Sequence, residues 1–439
     1  MKITNILPVL FLLYVPIQLP AQKSWSLEEC IKYAWDNNLM VKQKEISVNQ
    51  SNNNVFQSKM DYLPSMNASV SHSMNWGRSV NMQDLQIVEN KLSQSMSASL
   101  NASLTLFEGL QKTNNLKSKE VLLQISELEV KRTKNQLALQ ISKNYLEVML
   151  AKEILKSADQ SLASVEEQVK RTEKLVDAGS VAYSSLLEIQ SQLATERVQV
   201  VSAKNQVNSA LLTLRQLLDL SYDTHFDILT PDLGVMISEF DGESVDSLYE
   251  LSRDLPEIQS ALLNQKNSKL QLSVAKGASY PSVSFSAGYG TYYSDQREET
   301  MMDQFNENRN PSISFGLRIP IFNNWQTNTV IRNAHLNVKS AEIDLKTAEQ
   351  TLFKEIQQAN NDAIAYFEKY KASIENVKSM EESFRYVQQK FEIGVLNATD
   401  YTVAKTNLFK AMSDLLQAKY QFVFQLKVLD YYKGIPITL

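Results

Sequence analysis

The chain has 439 residues, 43% of them hydrophobic and 21% charged, with only 11 glycines and 10 prolines. That balance excludes general disorder and favours long uninterrupted elements over a string of ordinary domains. The net charge of −5, without a basic block, argues against a nucleic-acid partner.

Residues 1–21 carry the pattern of a signal peptide. Lys2 supplies the positive start, Ile6 to Val15 the short apolar stretch, and Ala21 the end of a cleavage site. The stretch is too short to span a bilayer as a helix. No other run approaches the roughly eighteen apolar residues such a helix needs. The single cysteine, Cys30, lies several residues past the cleavage point, so it is expected to pack rather than to carry a lipid.

A helix is expected over 26–60, and Pro64 marks its replacement by a strand. The strand, about 64–75, sets Met66, Ala68 and Val70 against Asn67, Ser69, Ser71 and Ser73. A polar connection, Trp76 to Lys91, leads to a second strand at about 93–106. There Met96, Ala98, Leu100, Ala102, Leu104 and Leu106 oppose Ser95, Ser97, Ser99, Asn101, Ser103 and Thr105. From Phe107 to Gly179 there is no proline, and the one intervening glycine is Gly109. About seventy helical residues form a rod of roughly 105 Å. Its apolar positions follow heptads: Leu155, Leu162, Val169 and Val176, interleaved by Ala158, Val165 and Thr172. After Gly179 the chain returns to about 218 along a seam of Leu186, Leu193, Val200, Val207 and Leu214. Residues 219–243 read as a linker with short structure.

The same order then repeats. A helix is expected over 244–277, strands at about 281–293 and 311–321, and hairpin helices over about 322–430. Leu106-Phe107-Glu108 returns as Ile321-Phe322-Asn323, and Ala178-Gly179-Ser180 as Ile393-Gly394-Val395, each 215 residues later. The second seams are Tyr370, Val377, Phe384 and Phe391, then Tyr401, Leu408, Leu415, Phe422 and Leu429. The chain therefore reads as a signal peptide (1–21), a first repeat (22–235) and a second repeat (236–439). Ser184, Ser185, Thr399 and Asp400 are expected to be caps or first-turn residues of the returning helices.

The polar faces of the four strands carry Ser, Asn, Thr and Gly rather than the Lys and Glu of an ordinary wet surface. A soluble one-sided sheet also alternates, but this composition and the strand lengths favour a transmembrane barrel. Trp76, Phe107, Tyr280, Phe322 and Trp325 are expected at the membrane interfaces. Four strands cannot close a barrel, whose smallest outer-membrane form has about eight. Copies of the chain must share one.

These parts in this order, with the two turns Gly179-x-x-x-x-Ser184-Ser185 and Gly394-x-x-x-x-Thr399-Asp400, resemble the TolC family of outer-membrane efflux proteins, the outer membrane factors. The resemblance covers essentially the whole mature chain. It implies a mostly α fold with transmembrane β: two repeats of helix, strand, strand and long helical hairpin. It also implies a homotrimer whose 12-strand β-barrel continues into a periplasmic α-helical barrel. The location implied is the outer membrane of a Gram-negative bacterium. The partners implied are outer-membrane lipid, a periplasmic adaptor (membrane fusion protein) and an inner-membrane pump, in tripartite efflux or type I secretion.

On this resemblance Gly179, Ser184, Ser185, Gly394, Asn397, Thr399 and Asp400 surround the periplasmic entrance, with Phe391, Leu396 and Val403 at further matching turn positions. The chain departs from the family's charged lock. Ser185 stands where a carboxylate often acts, Leu396 where an arginine may stand in relatives, and Val403 in place of a second acidic ring. A weaker constriction, with one ring of three Asp400 carboxylates, is expected; the alternative is that Asp400 only caps its helix. No catalytic, cofactor-binding or metal residue is expected. His72, His225 and His335 lie far apart, and no nucleophile elbow, phosphate loop or paired-cysteine motif is present. The competing reading is a secreted or periplasmic coiled-coil structural or adaptor protein without a pore.

Overall fold

A computed structural model describes residues 24–80, 86–221, 226–234 and 239–439. The signal-peptide reading of 1–21 and His225 lie outside the described residues. The chain order is β1 (Ser24–Trp25), α1 (Leu27–Asn37), α2 (Leu39–Met60), β2 (Ser65–Val80), β3 (Ile87–Glu108), α3 (Gln111–Asp177) and α4 (Tyr183–Leu217). It continues with β4 (Asp227–Ile228), α5 (Val245–Ser252), α6 (Pro256–Gly277), β5 (Ser282–Ser294), α7 (Met301–Glu307), β6 (Asn310–Arg318), α8 (Gln326–Glu392) and α9 (Ala398–Tyr432).

The hairpin helices of the two halves match residue for residue. α3 and α8 are both 67 residues long and start 215 positions apart. α4 and α9 are both 35 residues long, with the same offset. Even the turns into α3 and α8 correspond: Gly109 and Leu110 in one, Asn324 and Trp325 in the other, are pairs of left-handed residues. Two successive positive φ values reverse the chain sharply from strand into helix, a conformation costly for Leu and Trp side chains.

The chain forms two compact units that cut across the sequence halves. One contains residues 40–134 and 245–356, and its centre is a four-stranded antiparallel sheet in the order β2-β3-β5-β6. Its register places like residues in rows. Ser65, Ser103, Ser286 and Ser314 cross all four strands, as do Asn67, Asn101, Gly288 and Ser312. On the other face Met66, Ala102, Ala287 and Ile313 form one row, and Leu104, Phe285 and Phe315 another. Serine hydroxyls bond one another across the strands: Ser65 to Ser103 and Ser69 to Ser99 at 2.8 Å, Ser71 to Ser97 and Ser286 to Ser314 at 2.7 Å. His72 sits on the apolar face, paired in register with Met96, while His335 is exposed on α8.

The other unit holds residues 24–39, 135–244 and 357–439 of the described chain. β1 and β4 pair in parallel there, and the Tyr145 hydroxyl lies 3.0 Å from the Trp25 carbonyl and 2.7 Å from that of Leu229. Phe240, Phe367 and Phe422 meet edge to face or tilted. The described parts of 219–243 carry the short strand β4, with Phe226 and Ile228 buried, within an otherwise largely exposed connection. Cys30 is fully buried, and burial pushes its thiol up to about 12, in keeping with a packing residue.

Several element bounds differ from those expected. The helix over 26–60 is broken at Asn38, whose backbone is extended and whose side-chain amide donates to the Leu217 carbonyl at 3.2 Å. The helix over 244–277 is broken before Pro256, which holds Leu255 in an extended conformation. β6 stops at Arg318, before Ile319 and Ile321, because Pro320 cannot continue the ladder. The connection over 294–310 contains the helix α7.

Where β3 turns into α3 the backbone passes very close to the end of α6. A Cβ on Gly109, at φ +62, would meet the Gly277 carbonyl oxygen and the Tyr280 side chain. Gly109→Ala is expected to cost about 2 kcal/mol or more, from sterics and φ together. Thermal unfolding in detergent, followed by circular dichroism, should show the lowered midpoint; an unchanged midpoint would contradict the close approach.

Candidate entrance at the helical turns

The hairpin turns are built by the same backbone device. At the end of α3 the Gly179 amide donates to the Val176 carbonyl and the Ser180 amide to that of Leu175, both at 2.8 Å. At the end of α8 the Gly394 amide donates to Phe391 at 3.1 Å and the Val395 amide to Lys390 at 2.9 Å. This paired closure satisfies carbonyls that the helix end leaves open, and it needs a left-handed residue. Gly179 and Gly394 supply it at φ +70 and +73.

The returning helices begin differently. α4 has Ala182 as its N-cap, with no side-chain cap bond. Ser184 and Ser185 lie in the first turn and do not cap it. In α9 the cap is Asn397, whose side-chain oxygen accepts from the Asp400 amide at 2.8 Å. Thr399 and Asp400 occupy that first turn, both exposed. Asp400 therefore contributes its backbone amide to the cap, and its carboxylate stands at the positive end of the α9 dipole. Ile393, Val395, Tyr183 and Val403 are exposed around the turns, while Leu396 is half-buried.

Behind the turns the two hairpins share a core. Val165, Val169, Leu186 and Ile189 are buried together, with Val176, Leu193 and Phe391 packed against them. Phe391 also stacks on Tyr401 at 4.8 Å between ring centroids, and Phe384 meets the same ring at 5.4 Å. Phe391 is thus a packing residue between hairpins. Arg171 pairs with Glu392 at 3.5 Å, but both side chains are partly in solvent and such pairs contribute under about 1 kcal/mol.

A buried polar layer lies further along the helices, and the heptad reading missed it. Lys405 is buried, and its ammonium donates to the Ser161 carbonyl at 3.1 Å. Glu196, also buried, accepts from the Gln192 side chain at 2.7 Å. The seam Leu186, Leu193, Val200 passes beside these residues. Ile189, Gln192, Glu196 and Ala203 form a second buried stripe of α4 at spacings of three, four and seven. That spacing was legible, but polar residues on it do not announce burial.

The five aromatics expected at the membrane interfaces all lie in or beside the sheet. Phe107 sits in β3 next to an irregularity of register, Tyr280 two residues before β5, and Phe322 and Trp325 after β6, all where helices join the sheet. Trp76 pairs with Leu92 toward the opposite end. All five are exposed. Among the described residues no group of His, Cys, Asp or Glu is arranged to hold a metal ion.

Burial holds the Lys405 ammonium below the ordinary lysine value of 10.5, partly offset by Glu196. The folded chain therefore releases this proton before the unfolded chain does, and stability at this site rises with pH in the window below 10.5. Lys405→Met removes this titration, so the stability of the wild-type chain relative to the variant should rise as pH approaches 10.5. Paired thermal melts across that range check this; a pH-independent difference would contradict it.

The model of the outer membrane efflux protein family matches residues 30–219 and 248–430. Outer membrane protein TolC of Vibrio cholerae is 22% identical over 372 residues, which cover 84% of this chain and 81% of that protein. Alkaline protease secretion protein AprF of Pseudomonas aeruginosa is 20% identical over 317 residues, covering 71% of this chain and 64% of AprF. Among solved structures CusC, studied for transmembrane channel formation, has a TM-score of 0.79 at 18% identity, covering 95% of this chain and 96% of that one.

Proposed function

Because the chain belongs to the outer membrane efflux protein family, the TolC-type channel proteins of the outer membrane, we propose that three copies form the exit duct of a tripartite efflux or type I secretion system. Residues 22–235 and 236–439 each supply a strand pair and a helical hairpin. Three chains give a 12-strand barrel with twelve hairpin helices beneath it.

The observation that carries this reading is the sheet. β2 and β6 each pair on one side only among the described residues. One face is apolar and exposed at Met66, Val70, Ile313, Phe315 and Leu317, and the other is a field of hydroxyls. Joining β6 of one copy to β2 of the next satisfies both edges, turns the apolar face to lipid and the hydroxyl face to water. The five aromatics then mark the two membrane interfaces. The helices of 67 residues extend about 100 Å into the periplasm. Their turns, at Gly179, Ser184 and Ser185 and at Gly394, Asn397, Thr399 and Asp400, surround the entrance and meet the adaptor and pump. Family names that include efflux and protease secretion leave both kinds of cargo within the reading.

At that entrance the three Asp400 carboxylates form the constriction's single acidic ring, which attracts cations. Planar-bilayer recordings test both levels. The purified protein should form cation-selective channels blocked by divalent ions, and Asp400→Asn should lose the block and lower the selectivity several-fold. Unchanged selectivity and block would reduce Asp400 to a helix-terminal charge, and the absence of any channel would contradict the duct.

A further inference from the structure

The connection between β5 and β6 is bolted down. Gln304, at 0% exposure, accepts from the Ser294 amide at 2.9 Å and donates to the Ser294 and Glu299 carbonyls at 3.0 Å each. Arg297 pairs with Glu299 at 3.0 Å and Glu307 at 2.9 Å, and donates to the Asn308 side chain at 3.2 Å. Thr300 caps α7 through the Asp303 amide. The Asn308 side chain donates to the Tyr292 carbonyl at 2.8 Å, which fixes the far end to β5. α7 is therefore held in one position relative to the strand.

Which side of the sheet it takes follows from alternation. Along β5, Val283, Phe285, Ala287, Tyr289, Thr291 and Tyr293 share the apolar face, and Ser284, Ser286, Gly288, Gly290, Tyr292 and Ser294 the polar face. The Thr291 hydroxyl donates to the Phe305 carbonyl at 2.8 Å. The C-terminal part of α7 thus sits over the apolar face. On the polar face beside it, Tyr292 remains 52% exposed. Met301 and Met302 are also exposed, Met302 at 69%.

We propose that α7 is a lipid-contacting rim element, which places Met301 and Met302 in the interface of the outer leaflet, and is not a lid over the duct mouth. This rests on the membrane reading of the sheet. On that reading the lipid-facing side of β5 carries Tyr289, Thr291 and Tyr293, and α7 is tied to it through the Thr291 hydroxyl, so lipid is the occupant expected beside α7. Interfacial elements seat apolar side chains about 5–10 Å into the headgroup and acyl boundary. Unbranched thioethers suit that irregular environment, and tyrosines suit the headgroup level next to it.

The test uses full-length protein in phosphatidylcholine vesicles, with a polarity-sensitive fluorophore on an introduced cysteine. Cys30, buried and with its thiol pushed up to about 12, does not compete for the label. Met302→Cys probes α7, and Ile313→Cys probes the apolar face of β6. A nitroxide on the lipid headgroup should quench the label at 302 by about twofold, with iodide in the water far less effective. A nitroxide in the acyl chains should quench the label at 313. If 313 is quenched from lipid while 302 responds only to iodide, α7 is a water-facing lid and the inference is overturned alone. If 313 also responds only to iodide, the membrane reading falls and takes the inference with it.

Discussion

A β-strand has two edges, and every amide and carbonyl along them needs a partner once water is withdrawn. This chain supplies four long strands in one open sheet, with β2 and β6 paired on one side only among the described residues. In water such edges invite uncontrolled pairing. In lipid they are untenable unless the sheet closes. The remaining features fit that constraint. One face is largely apolar over all four strands, and the helices leave the sheet from the end that carries Phe107, Tyr280, Phe322 and Trp325. These open edges are the ground for the proposal that copies of the chain close the sheet together.

The hydroxyl face has its own logic. Ser65 with Ser103, Ser69 with Ser99, Ser71 with Ser97 and Ser286 with Ser314 bond one another across strands. Short hydroxyl side chains that partly satisfy each other give a wettable wall with little fixed charge and little bulk. Such a wall would discriminate poorly among solutes in the proposed duct. At the hairpin turns Asn397 caps α9 and Asp400 stands exposed in its first turn. The family expectation of a charged lock is weakened by Ser185, Leu396 and Val403, and Phe391 packs between hairpins.

Much of this was legible in the sequence because it is periodic and local. Alternation gave the strands and their faces, heptads gave the hairpins, and two glycines gave the turns. The failures share a cause, which is that their determinants are distant or polar. Asp36, Asn37 and Asn38 give only a weak local signal of a break, and the Asn38 side chain is held by a carbonyl 179 residues away. Lys405 is buried by helices that come together only in the fold, and its own neighbours read as an exposed face. α7 is seven residues long, too short for any period to emerge, and is fixed by Gln304 reaching back to Ser294. Two features do have local signals: Pro320 ends β6, and Asn397 three residues before Asp400 is a recognisable capping pattern.

Closure between copies is the central claim, and the mass of the extracted particle tests it most directly. Native mass spectrometry of the mature protein, solubilised from outer membranes in mild detergent, should give three chains that separate only on heating. A mature chain that stays monomeric and soluble without detergent would leave the strand edges open and the apolar face in water, and that result would contradict the claim.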